Sequence, residues 1–286
     1  MSAYQLNQKW LSQLPFRQVE DWRPVAGGDI NAAYQIKADQ RTYLLKVQPH
    51  HPASYFNHEK RGLEVIGALV KTPTPLAQGQ IQGDAYLVLE WLESGSGSQA
   101  DLGRAVARMH AQHAKQFGFY ENHTTRALVK NNAWNDSWRD FYLKQRLDPE
   151  IAVAKENGRW NDWRETHYQR MRQAFSDYYD QHQVIPSLLH GDLWAGNYMF
   201  DNTGQPVLID PDAVYGDREF DLAMTTIFGG FEPAFYQAYQ QEYPLYPLAK
   251  GVNERLPWYQ FYYLCMHLIL FGETYGPAVD GILERY

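Results

Sequence analysis

Three oxygen-bearing side chains in the second half of the chain have the types and the spacing that phosphoryl transfer requires. Asp192 and Asn197 lie in the segment 190–197, which reads HGDLWAGN, and Asp210 follows Asn197 by thirteen residues. Transfer of a phosphoryl group from ATP needs an acceptor that orients the attacking hydroxyl, and oxygen ligands that hold magnesium against the phosphates. Asp192 can be this catalytic base, and Asn197 and Asp210 can bind Mg²⁺, because a hard cation prefers carboxylate and amide oxygens. The pattern predicts a phosphotransferase that uses ATP and Mg²⁺.

The sequence around these residues predicts how the two acidic side chains come together. Taken alone, each residue could simply cap a turn or end a strand, which are common positions for Asp and Asn. The flanking sequence, however, predicts strand, loop, strand, turn and strand, at 188–189, 190–197, 198–200, 201–204 and 207–209. Such a hairpin brings Asp210 back beside the loop of Asp192 and favours the catalytic interpretation.

Lys46 is the predicted contact to the ATP phosphates. It lies in a strand-like segment, and a helix that begins at Ser54 and runs to about Val70 follows. Glu59 falls on the apolar stripe of that helix, where a carboxylate is costly unless it is paired. An ion pair between Lys46 and Glu59 would satisfy both charges and direct the ammonium toward the phosphates. The alternative is a lysine whose head simply reaches solvent.

Two backbone segments complete the predicted nucleotide site. Strand-like segments at 22–25, 33–36 and 43–47 predict an antiparallel sheet. The turn between the first two could bring backbone amides close to phosphates, because glycine has no obstructing side chain; its residues are Gly27, Gly28, Asp29, Ile30 and Asn31. A strand at 86–92 ends before the polar, flexible segment 93–98, which predicts a hinge. The carbonyl of Glu90 and the amide of Leu92 are the predicted adenine contacts.

The remainder of the chain predicts a mainly helical second lobe. Helical spacing runs over 99–115, 133–156, 160–182 and 259–271. Asp221 precedes the apolar pair Leu222 and Ala223, so we expect it to be buried, where it could accept hydrogen bonds from the catalytic-loop backbone and hold Asp192 in place. The predicted fold class is α+β, with a small antiparallel-sheet lobe that contains one main helix, residues 1–92, and a larger, mainly helical lobe, residues 93–286.

Composition and charge exclude several classes of protein. The net charge of -7 and the pI near 5.8 predict that neither a nucleic acid nor an anionic membrane is the main partner. The single cysteine, Cys265, excludes an internal disulfide, and the start of the chain has no signal-peptide pattern, so we expect a cytoplasmic protein. No apolar segment is long enough to cross a bilayer. His110 and His113 lie one turn apart, but no third metal ligand has suitable spacing.

Over nearly the whole chain, the sequence resembles the fructosamine kinase (ketosamine kinase) family, an aminoglycoside-phosphotransferase-like branch of the protein-kinase fold. The most specific segments are 190–197, 209–211 with 215–223, and 132–134 with Arg146 and Leu147. The resemblance implies a two-lobed protein-kinase-like fold. It also implies ATP-dependent phosphorylation of the third-carbon hydroxyl of a ketoamine, free or protein-bound, which would make the sugar adduct labile and so repair glycated amines.

The resemblance further implies roles for individual residues. Asp192 matches the catalytic base, Asn197 and Asp210 the magnesium ligands, and Lys46 and Glu59 the phosphate-binding pair. On the acceptor side, Trp194 and Tyr215 would stack on the sugar.

Two positions depart from the family pattern. Asp212 stands where a small residue is usual, and Met266 where asparagine is usual. Both departures concern the substrate side, and the catalytic set is intact.

Three other functions are alternatives to this prediction. The same chemistry could act on an aminoglycoside, a choline-like molecule or another hydroxylated amine, but Trp194 argues against these acceptors. A nucleotide-binding regulator without turnover would not need the intact set of Asp192, Asn197, Asp210 and Lys46. A metal-dependent hydrolase would need histidines at ligand spacing. The sequence leaves open the physiological ketoamine and the choice between monomer and homodimer.

Overall fold

The protein is described here from a computed structural model that covers residues 6–25, 31–125, 128–242 and 251–286. A short helix, α1 (Gln8–Leu11), precedes a five-stranded antiparallel sheet. The strands are β1 (Val19–Pro24), β2 (Ala32–Ala38), β3 (Arg41–Gln48), β4 (Pro75–Ile81) and β5 (Asp84–Glu90), in the spatial order β1-β2-β3-β5-β4. Helix α2 (Asn57–Gly67) lies between β3 and β4 in the chain. This arrangement is the predicted small lobe with one main helix.

Alternation along β3 places its side chains on two different faces of the sheet. Leu45 and Val47 join one apolar cluster, which includes Trp10 and Leu14. Leu44, on the opposite face, packs against the cluster that contains Leu63 of α2. Lys46 shares the face of Leu44 and therefore points toward α2 rather than toward solvent.

Two predictions in this region were wrong in detail. Ser54 is not the residue before the α-helix. Pro52 is extended, residues Ala53–Phe56 form a 3-10 turn, and α2 starts only after this turn. The helix also ends at Gly67 rather than near Val70. Strand β4 was not predicted, since its proline and glycine are unfavourable inside a strand and are tolerated here at the edge of the sheet.

The second part of the chain is mainly helical, as predicted. Its helices are α3 (Gln99–His110), α4 (Trp138–Tyr142), α5 (Asp148–Glu156), α6 (Asp162–Gln181), α7 (Glu219–Thr225), α8 (Pro233–Glu242), α9 (Val252–Phe271) and α10 (Gly276–Leu283). The predicted helix 133–156 is shorter, and a π-helical turn (Leu143–Leu147) joins α4 to α5. The division of the chain at residues 92 and 93 remains a prediction.

Three short antiparallel pairs of strands stand among these helices. They are β6 (His123–Thr125) with β7 (Leu128–Lys130), β8 (Ser187–Leu189) with β11 (Val214–Gly216), and β9 (Tyr198–Phe200) with β10 (Pro206–Leu208). The last two pairs frame the segment that carries Asp192, Asn197 and Asp210. The core below them is aromatic, with Phe141, Tyr142, Phe175, Tyr259 and Phe261 almost fully buried.

In the part of the chain that the structure describes, no helix is long and apolar enough to cross a membrane.

Candidate active site

The loop between β8 and β9 brings Asn197 against Asp192. The side-chain nitrogen of Asn197 donates hydrogen bonds to the backbone carbonyl of Asp192, at 2.9 Å, and to its Oδ2, also at 2.9 Å. A single 3-10 turn, Ala195–Asn197, produces this geometry within six residues of chain. The amide oxygen of Asn197 takes no part in these two hydrogen bonds, and an amide oxygen is a group that can bind a cation.

Pairing of β9 with β10 returns the chain to the same place at Asp210. The backbone N–H of Ile209 donates to the carbonyl of Asn197 at 3.0 Å, so the next residue, Asp210, follows directly beside Asn197. Asp210 adopts a left-handed conformation with φ of 52°, which Asp tolerates better than most residues. The hairpin that the sequence predicted is present and places Asn197 and Asp210 side by side.

Lys46 connects this loop region to the sheet. Its Nζ lies 2.7 Å from Oε1 of Glu59 and 2.8 Å from Oδ1 of Asp210. The ion pair between Lys46 and Glu59 was predicted and is present, whereas the contact with Asp210 was not predicted. Burial lowers the pKa of the Lys46 ammonium, but the charges of Asp210 and Glu59 outweigh burial and raise it above its usual value. The side chain therefore stays charged where it meets both carboxylates.

The Asp192 carboxyl has an unusual proton affinity. Burial is the main cause that raises its pKa, to about 7, and the nearby charge of Asp212 acts in the same direction. The ammonium of Lys130 and the hydrogen bond from Asn197 oppose this rise. A carboxyl with a pKa near neutrality can hold and release a proton at physiological pH, which suits a general base.

Asp221 holds the backbone of the loop between β8 and β9. It is fully buried, and its two oxygens accept hydrogen bonds from the N–H of His190 at 2.6 Å and the N–H of Gly191 at 2.8 Å. His110 lies 3.1 Å from the same carboxylate and 2.8 Å from the hydroxyl of Tyr239. The predicted hydrogen bonds from the loop backbone are present, and His110 belongs to this network instead of a metal site.

Several supporting residues were not identified from the sequence. The imidazole of His190 lies 2.9 Å from the carbonyl of Ile209, and its Nδ1 accepts the N–H of Asp192 at 3.3 Å. Burial lowers the pKa of His190, so the neutral ring can both donate and accept. The hydroxyl of Tyr263 donates to the carbonyl of Gly191 at 3.0 Å. The available signal in the sequence was the pair His190 and Gly191 directly before Asp192. Their partners Ile209 and Tyr263 are far away in sequence, so the sequence did not indicate these contacts.

A buried charged cluster, also not predicted, surrounds Asp212. The ammonium of Lys130 contacts Oδ2 of Asp212, and Nε2 of His58 lies 3.0 Å from Oδ1. Burial would raise the pKa of Asp212, but the charge of Lys130 and the contact with His58 hold it well below its usual value. Asp212, one of the two departures from the family pattern, is therefore compensated by a cation.

The two predicted sugar-stacking residues differ in exposure. Trp194 is 37% exposed, lies over Gly196, and has Phe228 at 6.2 Å between ring centroids. Tyr215 is only 5% exposed and has Trp134 at 6.0 Å. Trp194 is therefore accessible to a ligand, whereas Tyr215 is buried and lies near Trp134. The stacking role of both residues stays a prediction.

The predicted nucleotide contacts are described only in part. Gly27, Gly28, Asp29 and Ile30 lie outside the described residues, and Asn31 directly precedes β2. Glu90 is the last residue of β5, and Leu92 follows in the irregular segment. The roles of these residues in binding ATP stay predictions.

The donor set around Asp192 fits magnesium better than a transition metal. Asn197 and Asp210 offer an amide and a carboxylate oxygen, and the side chain of Asp210 is 40% exposed, so it is accessible to a ligand. Among the described residues, no group of three or more His, Cys, Asp or Glu side chains could hold a metal by itself. A divalent ion here would need oxygens from the phosphates as well, as magnesium in kinases does.

This fold and site define a phosphotransferase of the protein-kinase-like class, and the predicted fold class is confirmed. The solved structure of a Thermobifida fusca protein is 27% identical, with a TM-score of 0.82 over 94% of this chain and 93% of that one. An aminoglycoside phosphotransferase, solved in ternary complex with AMP-PNP and hygromycin B, has a TM-score of 0.64 at 16% identity, over 96% of this chain and 97% of that one.

The chain belongs to the fructosamine kinase family, which confirms the resemblance stated from the sequence. The family model described as fructosamine kinase matches residues 3–286. A protein of Lactiplantibacillus plantarum named "Probable ketoamine kinase" is 56% identical over 281 residues, which are 98% of this chain and 99% of that protein.

Proposed function

We propose that the protein is an ATP-dependent ketosamine kinase that phosphorylates the third-carbon hydroxyl of fructosamines or ribulosamines. The observation that carries this proposal is the convergence of Asp192, Asn197, Asp210 and Lys46 on one loop region, beside the exposed indole of Trp194. The family membership and the name of the L. plantarum relative support a ketoamine as the acceptor. Phosphorylation would make the adduct labile and so remove sugar from glycated amines.

Each side chain has a separate task in the proposed reaction. Asp192 accepts the proton of the attacking hydroxyl, while the hydrogen bond from Asn197 fixes the direction of its carboxylate. Lys46, held between Glu59 and Asp210, binds the phosphates and balances the charge that develops on them. Asn197 and Asp210 would hold Mg²⁺, which when bound supplies a positive charge against the phosphate oxygens.

The loop must keep its shape during turnover, and Asp221 serves this purpose. Its carboxylate binds two consecutive N–H groups immediately before Asp192, so the base cannot rotate away without breaking two buried, charge-assisted hydrogen bonds. This rigidity supports transfer, because small displacements of a base from its substrate lower the rate strongly.

On the acceptor side, the exposed ring of Trp194 favours a sugar. The ring face of an indole packs well on the C–H surface of a sugar, and Gly196 beneath it allows the indole to lie flat along the loop. Glu90 and Leu92 would bind adenine through their backbone, and residues 27–31 would lie near the phosphates. We also propose a cytoplasmic location, where a protein with a single cysteine is expected.

Turnover with a defined set of acceptors tests the proposal. Purified protein is incubated with Mg-ATP and a fructosamine, a ribulosamine, an aminoglycoside or choline, and ADP release and phosphorylated product are both measured. We expect product only with the ketoamines, and none with the Asp192→Asn variant. Phosphorylation of the aminoglycoside or choline in preference to both ketoamines would refute the assignment.

A further inference from the structure

Helix α2 contacts the five-stranded sheet with one face and the helical part of the chain with another. On the first face, Glu59 contacts Lys46 of β3, and Leu63, four residues further on, packs in the apolar cluster that contains residues of β5. His58 and Gly62 are likewise four residues apart and form a second face. Successive residues of a helix point about 100° apart, so His58 and Glu59 are directed to different neighbours. The second face has no task in the reaction proposed above.

His58 joins this second face to Asp212. The side chain of His58 is buried, and its Nε2 lies 3.0 Å from Oδ1 of Asp212. The ring stacks on that of His123, with 4.6 Å between centroids, and lies edge to face with Phe119 at 5.2 Å. A buried polar ring lowers stability unless a polar partner compensates the loss of water. Asp212 is such a partner, and it holds the start of α2 on the helical part of the chain.

Gly62 allows the helix to approach the same segment closely. A Cβ added at Gly62 would lie 3.1 Å from a ring carbon of Pro211 and 3.1 Å from the Cβ of Ala213, which is closer than an ordinary van der Waals contact. Pro211 and Ala213 are the two neighbours of Asp212 in the chain. His58 and Gly62 together therefore dock α2 on residues 211–213.

This docking sets the distance between two partners of one ammonium, because residues 211–213 directly follow Asp210. The Nζ of Lys46 lies 2.7 Å from Glu59, which α2 carries, and 2.8 Å from Asp210. The ammonium can contact both carboxylates only while α2 keeps its distance from residues 210–213. A helix that moved outward would separate Lys46 from one of the two. Groups behind a site that fix its geometry in this way preserve its function.

Asp212 is itself held firmly on the side away from α2. Lys130 contacts its Oδ2, while His58 contacts its Oδ1. The backbone carbonyl of Asp212 packs on Gly191 so closely that an added Cβ at Gly191 would collide with it. Gly191 directly precedes Asp192. Asp212 therefore connects α2 with the loop that carries the proposed base, and it gives the helix a fixed support.

We propose that His58 is a positioning residue for ATP binding. By docking α2 on Asp212, it keeps Glu59 beside Lys46 and so keeps the ammonium oriented toward the phosphates. His58 does not contact the nucleotide itself, and its effect passes through Glu59. Gly62 serves the same docking. This inference rests on the proposed use of Lys46 to bind ATP, and it is independent of the identity of the acceptor.

His58→Phe tests the proposal, because it removes the ring nitrogens and keeps an aromatic ring beside His123. Calorimetric titration with AMP-PNP and Mg²⁺ should show a dissociation constant at least about threefold higher, a size typical of coupling between residues in contact. His123→Phe is the matched control and should bind as the wild type does, because His58 keeps its contact with Asp212. If His58→Phe lowers only the melting temperature and the folded variant binds with wild-type affinity, His58 is merely structural and the proposal is wrong.

A double-mutant cycle with Glu59→Gln shows whether His58 acts through Glu59. In the Glu59→Gln background, His58→Phe should cause no further loss of affinity for AMP-PNP. Equal losses in the two backgrounds would overturn the proposal. If Glu59→Gln alone leaves the affinity unchanged, the proposed task of the pair Lys46 and Glu59 is wrong, and this inference is wrong with it.

Gly62→Ala tests the docking even if His58→Phe does not fold. Alanine is a better helix former than glycine, so its propensity favours α2. The added Cβ, however, presses the helix away from Pro211 and Ala213. We expect affinity for AMP-PNP to fall at least about threefold. Glu64→Ala, at an exposed position of the same helix, is the control and should keep wild-type affinity. Wild-type affinity in Gly62→Ala would overturn the proposal.

Discussion

The Nζ of Lys46 lies 2.8 Å from Oδ1 of Asp210, although 164 residues separate the two in the chain. This contact joins the sheet that would cover the nucleotide to the loop that would hold magnesium. With Glu59 at 2.7 Å on its other side, the ammonium lies between two carboxylates. A phosphate group would therefore meet a lysine that is already oriented, at little further cost in side-chain entropy.

Glu59→Gln tests this arrangement. The substitution keeps the size of the side chain but removes one of the two negative charges that hold Lys46. We expect KM for ATP to rise about tenfold or more, the size of one charged hydrogen bond. Glu64→Gln is the control, because Glu64 lies on the same helix with a side chain that is 42% exposed. Steady-state kinetics at varied ATP decides, and an unchanged KM in Glu59→Gln would remove this pair from nucleotide binding.

The pKa of Asp192, about 7, predicts a pH dependence of catalysis. Only the ionised carboxylate can accept a proton, so kcat/KM for the acceptor should be constant above neutral pH and fall as pH drops through 7. At pH 6 the value should be about one tenth of the plateau. The pH–rate profile with saturating Mg-ATP measures it. A profile that stays flat down to pH 5 would exclude Asp192 as a base with this pKa.

The raised pKa of Asp192 also predicts that the stability of the fold decreases as the pH rises, whereas activity increases. Asp192 binds its proton more tightly in the folded state than in the unfolded chain, where the ordinary value is 3.8. Ionisation of Asp192 therefore lowers the free energy of unfolding. This loss is absent below pH 4, grows between pH 4 and 7, and is constant above pH 7. Asp192→Asn should raise the melting temperature relative to wild type more at pH 8 than at pH 4.5, by at least about 2 °C. A difference in melting temperature that does not depend on pH would contradict this explanation.

Asp221→Asn should destabilise the protein and slow turnover. An amide can accept from only one of the two backbone N–H groups and turns its own donors toward the other, inside the core. We expect a loss of about 2–4 kcal/mol in the free energy of unfolding. Asp39→Asn is a matched control, because Asp39 also accepts two consecutive backbone N–H groups, of Arg17 and Gln18, but at an exposed site. Denaturant unfolding measures the free energy of unfolding of both variants. If Asp221→Asn and Asp39→Asn lose the same small amount, the burial of Asp221 does not make its hydrogen bonds more important for stability.

Local sequence patterns predicted the parts of the site that depend on a single helix or hairpin. The apolar stripe of α2 located Glu59 and so its partner Lys46, and the strand-turn-strand pattern after Asn197 predicted the hairpin that returns Asp210. Strand β4 was missed because its residues have low strand propensity and are held by pairing with β5. The contact of Lys130 with Asp212 joins positions 82 residues apart, and no periodicity at either end indicates it.

Tyr215 shows that the sequence also does not reveal which side chains are exposed. Its position in the family motif predicts a sugar contact, which stays a prediction, and its burial follows from packing near Phe119 and Trp134, which belong to a distant part of the chain. Residue type and spacing predict which groups can do chemistry, whereas long-range packing decides which of them a ligand can reach.

The central claim is that Asp210, together with Asn197, binds a divalent ion that holds the ATP phosphates. Calorimetric titration of AMP-PNP into wild-type protein and into Asp210→Asn, each with and without Mg²⁺, tests it most directly. We predict that magnesium strengthens binding to the wild type at least about tenfold and has no effect on binding to Asp210→Asn. An equal effect of magnesium on both proteins would contradict the assignment of Asp210 and the account of the site built on it.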